Sequence, residues 1–250
     1  MATQHHHLHR PHPSLRPSSG AVASISPKDV RQLTSVRPIH EPQALERVRH
    51  EVALAYSQLG RPPVDVSETY RQLCHDVYER AGTTLAFGAF TRCGDAEDLS
   101  ATYRIIFART DGTTPQPIDA MNLMDVFPDW PHRREGLSDN CIAEFSHLVV
   151  REAYRTPAMR ADHIPAFLVR CLYDAVVDVM RERGVRVLYG IARETVVSIL
   201  QQANVPLVRV PTSQPRFDDR DNRMVFERYN RYWQRSDPPR LYRSLVPPLP

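Results

Sequence analysis

The chain has 250 residues, of which 42% are hydrophobic and 24% charged, with a formal net charge of +3. That is enough chain to bury a core without disulfides, and the positive balance is too mild to argue for nucleic acid. No apolar run approaches the about 18–20 residues that span a bilayer, and the first residues, MATQHHHLHRPHPS, lack the apolar core of a secretory signal. A cytoplasmic protein of one or two domains, with no membrane span, is the expectation.

The cysteines, Cys74, Cys93, Cys141 and Cys171, form no CxxC pair, so they read as buried reduced thiols rather than metal ligands. The nine glycines form neither GxGxxG nor GxxxxGK[ST], which removes the main support for dinucleotide and P-loop sites. Lys28 is the only lysine. High-GC codon usage accounts for that, although arginine also suits fixed phosphate contacts.

Residues 1–30 are rich in His, Pro and Ser without apolar periodicity, and read as a solvated tail. His5, His6, His7, His9 and His12 there could take up nickel or zinc adventitiously. A strand is predicted over Leu33 to Ile39. A helix follows from Pro42 to Leu59, with Leu45, Val48, Val52, Ala55 and Leu59 on one face. Ser67 is placed to cap a second helix carrying Tyr70, Leu73, Cys74, Val77, Tyr78 and Ala81 at helical spacing. Thr84 to Thr91 and Leu99 to Ala108 alternate as a hairpin around Gly94, with Leu99, Ala101, Tyr103, Ile105 and Phe107 on one face. Residues 110–140 are irregular, with Phe127 and Trp130 as anchors.

Ile142 to Val150 reads as a central strand. The helix from His163 to Arg183 is the clearest element. Asp162 is its expected N-cap, Gly184 its terminator, and Ile164, Phe167, Leu168, Cys171, Leu172, Ala175, Val176, Val179 and Met180 its apolar stripe. A strand over Val185 to Ile191, a helix over Glu194 to Ala203, and strands over Leu207 to Val210 and Met224 to Tyr229 complete the order. Residues 31–235 are expected to form one domain, and 236–250 a Pro-rich tail.

Glu144 is the one acid in an apolar strand. Burial raises a carboxyl toward general-base range, while an ion pair with Arg104 would make it structural. In a regular strand Glu144 and Ser146 share one face and His147 points away. A bulge near Phe145 or Ser146 would bring Glu144 and His147 toward one site; otherwise His147 is a hydrogen-bonded core histidine. Arg104 sits opposite the apolar face of its strand and could hold a carboxylate bidentately, with Arg49 on the first long helix as a second candidate and Trp130 as a further substrate contact. Arg151, Arg155 and Arg160, ahead of the helix N-terminus at Asp162 to Ala166, could hold a phosphate or form a solvated loop. The C-terminal arginines, among them Arg228, Arg231, Arg240 and Arg243, alternate with Phe226, Tyr229, Tyr232 and Trp233. Stacking on single-stranded nucleic acid is one reading, but nearby acids offset the charge and favour a packed strand with a solvated face.

The element order resembles the GNAT acyltransferase fold, an α/β (α+β) architecture with a mixed, largely antiparallel sheet flanked by helices. VRHEVALAYSQLG from Val48, ATYRII around Arg104, AEFSHLVV from Ala143 and RERGVRVLYGIARETVVSILQQANVPL resemble segments of the acyl-homoserine-lactone synthases and the related N-acyl amino acid synthases. The family's arginine after serine is His147 here, and Ala53 stands where an aromatic follows the first-helix arginine. The lactone synthases' acidic Glu-x-Asp-x-x-Asp stretch has no counterpart, so lactone formation is not implied. The Gly-rich pyrophosphate loop is absent from REAYRTPAMRADHIP. The resemblance implies transfer of a fatty acyl group to a small amine such as an amino acid. The donor would be acyl carrier protein or acyl-CoA, the former suited better by the arginines, and no cofactor is tightly bound. Glu144, His147 and Ser146 would form the catalytic set. Arg104, Arg49 and Trp130 would contact the acceptor. Leu148, Val149 and Val150 would engage the thioester arm, with Arg151, Arg155 and Arg160 near the phosphate. A catalytically inactive GNAT-like binding or regulatory module is the alternative.

Overall fold

The computed structural model describes residues 25–59, 65–74, 79, 82–107, 136–211 and 240–248. Trp130, Phe127, the predicted strand over Met224 to Tyr229, the arginines between 216 and 235 and the N-terminal histidines lie outside the described residues.

Pro27–Leu33 forms α1, part of which the composition assigned to the tail. Its start is fixed by a reciprocal cap: the Asp29 N–H donates to Ser26 Oγ at 3.2 Å, and the Ser26 N–H donates to Asp29 Oδ2 at 3.3 Å. Pro27 at the first turn has no N–H to orphan. Then come β1, Thr34–Ile39, and α2, Pro42–Leu59. Next is α3, Val66–Cys74, capped not by Ser67 but by Asp65, whose Oδ1 accepts from the Ser67 N–H at 2.9 Å. The hairpin strands are β2, Thr84–Cys93, and β3, Ala96–Phe107. β4, Ile142–Val150, coincides with the predicted central strand.

A short helix, α4, Pro157–Ala161, precedes α5, Ile164–Glu182. Asp162 therefore closes α4 rather than opening α5. The residue before α5 is His163, in the left-handed region at φ 55°. β5, Val187–Ala192, α6, Glu194–Gln202, and β6, Leu207–Arg209, follow. The last strand, β7, is Arg240–Leu245, inside the stretch that its prolines marked as a tail. Those prolines flank the strand, and its Leu241, Tyr242 and Ser244 are buried.

The seven strands run in the order β1-β2-β3-β4-β5-β7-β6. Among the described residues only β4 and β5 are parallel; the other pairs are antiparallel. One sheet face packs on α5 and α1 through Phe87, Ala89, Ala101, Tyr103, Ile105, Phe145, Val150 and Leu188. The opposite face packs on α2 and α3 through Ile39, Ala86, Phe90, Leu99 and Val149. The deepest line of α5 is Ile164, Leu168, Leu172, Val176 and Met180, all within the predicted stripe. Val169, Tyr173 and Val177 are buried beside it, while Phe167, Cys171, Ala175 and Val179, on the other flank of the predicted stripe, are only half-buried.

Two bulges set which residues reach which core. Ala89 pairs with Ala101 and Phe90 with Leu99, so Ser100 is the extra residue of β3. Its hydroxyl donates to the Ala89 carbonyl at 2.9 Å. Leu99 thereby turns to the α2 side, away from the Ala101–Tyr103–Ile105 line predicted to include it. The second bulge is in β4 and shapes the site below.

Gly190 of β5 is the closest packing point between the central strands. A Cβ there would overlap the ring of Phe145, which itself stacks on Tyr103 with centroids 5.9 Å apart. Gly190→Ala should lower unfolding free energy by about 1–3 kcal/mol through overpacking, measured by urea denaturation. Adding Phe145→Leu should return part of that loss; an additive double variant would show that the ring is not the obstacle.

Candidate active site

β4 leaves regular geometry at His147. Thr102 pairs with Val149 and Arg104 with Ser146, so one residue of β3, Tyr103, stands opposite two of β4, His147 and Leu148. His147 takes φ 51°, a conformation that an L-residue with a side chain adopts at a cost of about 1–3 kcal/mol. The distortion expected near Phe145 or Ser146 thus lies at the next residue. It resets the alternation. Ala143 and Phe145 face α5, as do Leu148 and Val150, whereas Val149 joins the α2-side cluster. Glu144 and Ser146 occupy the α2 side by alternation. The His147 ring lies edge-on to Tyr56 of α2, centroids 5.8 Å apart, so it too reaches that side. Glu144, Ser146 and His147 are brought together.

Beyond this point β4 and β5 part. Their ladder runs from Ile142↔Val187 to Phe145↔Gly190 and stops, although β4 continues to Val150 and β5 to Ala192. The β5-facing edge of residues 146–150 is therefore not paired with a strand among the described residues. A sheet edge of this kind offers backbone N–H and C=O groups to an extended ligand.

Arg104 is 3% exposed. Its Nε donates to Ser146 Oγ at 3.0 Å, and its Nη1 stands 4.0 Å from Glu79 Oε1. By register it is the diagonal neighbour of Glu144 on the same face, at about 7–8 Å between backbone positions, within reach of a long side chain. Arg49 lies one step further out. It donates to Glu79 Oε2 from Nε at 3.1 Å and Nη2 at 2.7 Å, and to Glu46 Oε1 at 2.5 Å. Glu46 in turn accepts from the Tyr70 hydroxyl. Burial works against the charge of Arg49, but the bonds and charge of Glu79 more than offset it and raise its pKa. Arg49 is thus engaged by two carboxylates of its own chain.

Glu79 links Arg49 to Arg104, and no feature of the sequence singled it out. It adjoins the apolar positions of a helical pattern, and only the fold brings it to an arginine on β3.

The expected phosphate contacts divide. Arg151 is turned inward. Its Nη1 donates to Asp98 Oδ1 and Oδ2 at 2.5 and 2.6 Å and to the Leu99 carbonyl at 3.0 Å, and its Nε lies 2.9 Å from Glu51. Burial disfavours its charge, yet Glu51 and Asp98 outweigh that and raise its pKa. Arg155 is half-buried and Arg160 exposed. Ahead of α5 the Asp162 and His163 N–H groups donate to the Ala158 and Arg160 carbonyls at 3.3 and 3.0 Å, Pro165 has no N–H, and Arg31 of α1 donates to the Asp162 carbonyl at 2.6 Å. Three of the five positions of the cradle expected at Asp162 to Ala166 therefore have no N–H left to offer. Leu148 is half-buried, and Val149 and Val150 are buried, so this stretch presents backbone rather than side chains.

Searches for similar proteins give a result in structures alone. No family model matches the sequence, and no curated protein matches it. The AHL synthase LasI superposes with a TM-score of 0.50 at 12% identity, covering 86% of this chain and 90% of that one. The fold is GNAT-like. Also similar are FeeM, an N-acyl amino acid synthase from uncultured soil microbes (15% identity, 86% of this chain and 91% of that one, TM-score 0.49), and a GNAT-family acetyltransferase from Staphylococcus aureus Mu50 (13%, 85% and 100%, 0.43). The GNAT-like sheet places the β4–β5 fork at its centre. Among the described residues no helix is long and apolar enough to cross a membrane, and no group of three His, Cys, Asp or Glu side chains is placed to hold a metal.

Two tests follow from the Asp98 centre. Arg151→Met should cost about 3–5 kcal/mol, because it leaves the buried Asp98 charge short of its partner; loss under 1 kcal/mol in a urea titration would contradict that. Tyr154, fully buried, donates its hydroxyl to Asp98 Oδ2 at 3.0 Å. Burial and then the Asp98 charge hold its pKa well above 10. The folded state keeps this proton where the unfolded chain loses it, so the contribution is whole below pH 10 and declines as pH rises above it. Tyr154→Phe should flatten the alkaline decline of stability, read as Tm against pH from 8 to 11.

Proposed function

We propose that the chain is an N-acyltransferase that moves a fatty acyl group from an acyl carrier protein or acyl-CoA thioester to a small amine such as an amino acid. One observation carries this reading: at His147 β4 turns three polar side chains to the α2 side just where its other edge parts from β5. The similar fold of an AHL synthase supports acyl transfer as the reaction class.

In this proposal the donor's pantetheine arm lies along the open edge of Leu148, Val149 and Val150, with its thioester at the fork. The acceptor amine, once deprotonated, attacks the thioester carbonyl. Glu144 takes the amine's proton, directly or through a water, with His147 as a second base. Backbone N–H groups of the open edge stabilise the tetrahedral oxyanion. Attack forms the C–N bond; collapse of the tetrahedral intermediate restores C=O and breaks C–S, and the thiolate leaves and is reprotonated. Arg104 acts as a positioning residue here, holding Ser146 and the distorted part of β4. Arg155 and Arg160 remain as contacts for the donor phosphate.

Glu144→Gln tests the assignment. It should lower kcat by about 10²-fold or more without unfolding the protein, read as loss of N-acyl species in lipid extracts of an expressing bacterial host. Identical extracts from both folded proteins would move the chain to the alternative, a GNAT-like binding module. The glycine-free connection after β4 favours that alternative.

A further inference from the structure

Glu144 and Arg104 are each 3% exposed, whereas Ser146 and His147 are only half-buried, so the distorted turn of β4 is the more accessible part of the candidate site. At His147 the backbone is set by φ 51°, which fixes where the Cβ points. It does not fix the ring, because the outer side-chain torsion of histidine is broad. A half-buried imidazole holds one orientation only where a neighbour confines it. Tyr56 of α2 is such a neighbour: its ring stands 5.8 Å from that of His147 at 74°, within the edge-to-face range that aromatic pairs prefer.

We infer that Tyr56 is a positioning residue for the reaction, its ring holding the His147 imidazole at the fork, two residues past the last rung at Phe145. This rests on the acyl-transfer reading, in which His147 is the second base, and adds a residue that acts through it. Local structure makes Tyr56 a fixed wall. Val52 is wholly buried in the α2-side cluster, and Tyr56, one turn further along the same face of α2, packs half-buried against that cluster. The helix is tied to the residues just after β4 on both sides of this position. Arg151 Nε lies 2.9 Å from Glu51, and Gln58 Nε2 donates to Glu152 Oε2 at 3.5 Å. The apolar spacing of α2 runs through Ala55, so the sequence does not single out Tyr56; the bulge in β4 and the helix over it do. The contact is made by the ring, so phenylalanine serves in its place. A misplacement of about 1 Å costs up to about 10²-fold in rate, and an imidazole that has lost its wall should lower turnover about tenfold.

The test measures N-acyl product in lipid extracts of a bacterial host, per amount of soluble full-length protein and while accumulation is linear. It compares the unmodified chain with Tyr56→Leu, Tyr56→Phe, His147→Asn, the double variant Tyr56→Leu/His147→Asn, and Glu144→Gln. Asparagine removes the base yet tolerates the left-handed backbone. Tyr56→Leu should lower product about tenfold and His147→Asn at least as much, and Tyr56→Phe should recover most of the leucine variant's loss. In the His147→Asn background Tyr56→Leu should cause no further loss. A purely structural role would instead lower product by the same factor in both backgrounds, and that result overturns the assignment while acyl transfer stands. Failure of phenylalanine to recover product overturns it too, since the hydroxyl and not the ring would then matter. Undiminished product from His147→Asn overturns it whatever the Tyr56 variants do, including a leucine variant that does not fold. Absence of any N-acyl product dependent on Glu144 overturns the acyl-transfer reading and the role of Tyr56 with it.

Discussion

The left-handed backbone of His147 is the constraint on which the site depends. One inserted residue shifts the alternation of β4 by one, so the strand fills both cores with different halves of itself: Phe145 and Val150 on the α5 side, Val149 on the α2 side. Without the insertion, Val149 would face α5 and Val150 would face α2, and the apolar sequence of the strand would serve neither layer. A strained residue persists only where its surroundings over-determine it. Here they include the rung of Arg104 with Ser146 on one side of the bulge and the rung of Thr102 with Val149 on the other.

Charge pairs tie the distorted strand to the rest of the molecule. Arg151, just past β4, joins Asp98 of β3 to Glu51 of α2. Glu79 stands between Arg49 of α2 and Arg104 of β3. Both links cross from the helical layer to the sheet on the side proposed for the acceptor. Their worth is in placement more than in stability, since desolvation cancels much of what a buried pair gains. Disruption of either pair would loosen the position of α2 over β4 and with it the contact of Tyr56 with His147.

Local rules were enough for much of the fold. The limits of α2 and β4 could be read from apolar spacing and punctuation alone, and the order of strands and helices from β1 to β6, α4 apart, followed. α1 carried a legible signal, Ser26-Pro27-Lys28-Asp29, that the surrounding His/Pro/Ser composition obscured. β7 was illegible for a different reason: its prolines mark its flanks, and only pairing with β5 and β6 makes it a strand. The candidate site was legible in its residue types and not in its wiring. Glu144, Ser146 and His147 were identifiable because polar residues interrupt an apolar strand. The duties of Arg49 and Arg151 were not, because their acids lie 30 to 53 positions away for Glu79 and Asp98, and no local pattern encodes such a meeting.

The connection after β4 shows how that wiring bears on the proposed donor. A backbone cradle for a diphosphate needs closely approaching N–H groups, which glycine permits and side chains obstruct. Here the chain runs instead through a 3₁₀ turn, Glu152–Tyr154, and then α4. Tyr154 of that turn is buried onto Asp98, and Arg151 just before it is turned onto the same carboxylate. The residues that open this connection thus serve the interior. The proposed donor would then be held mainly by its pantetheine arm on the open edge of β4, with one phosphate near Arg155 and Arg160. A phosphopantetheine on a carrier protein carries that single phosphate, whereas coenzyme A would bring a diphosphate to a segment with few groups left to meet it. The same inward turn that secures β4 to α2 therefore favours a protein-bound donor within the proposed reaction.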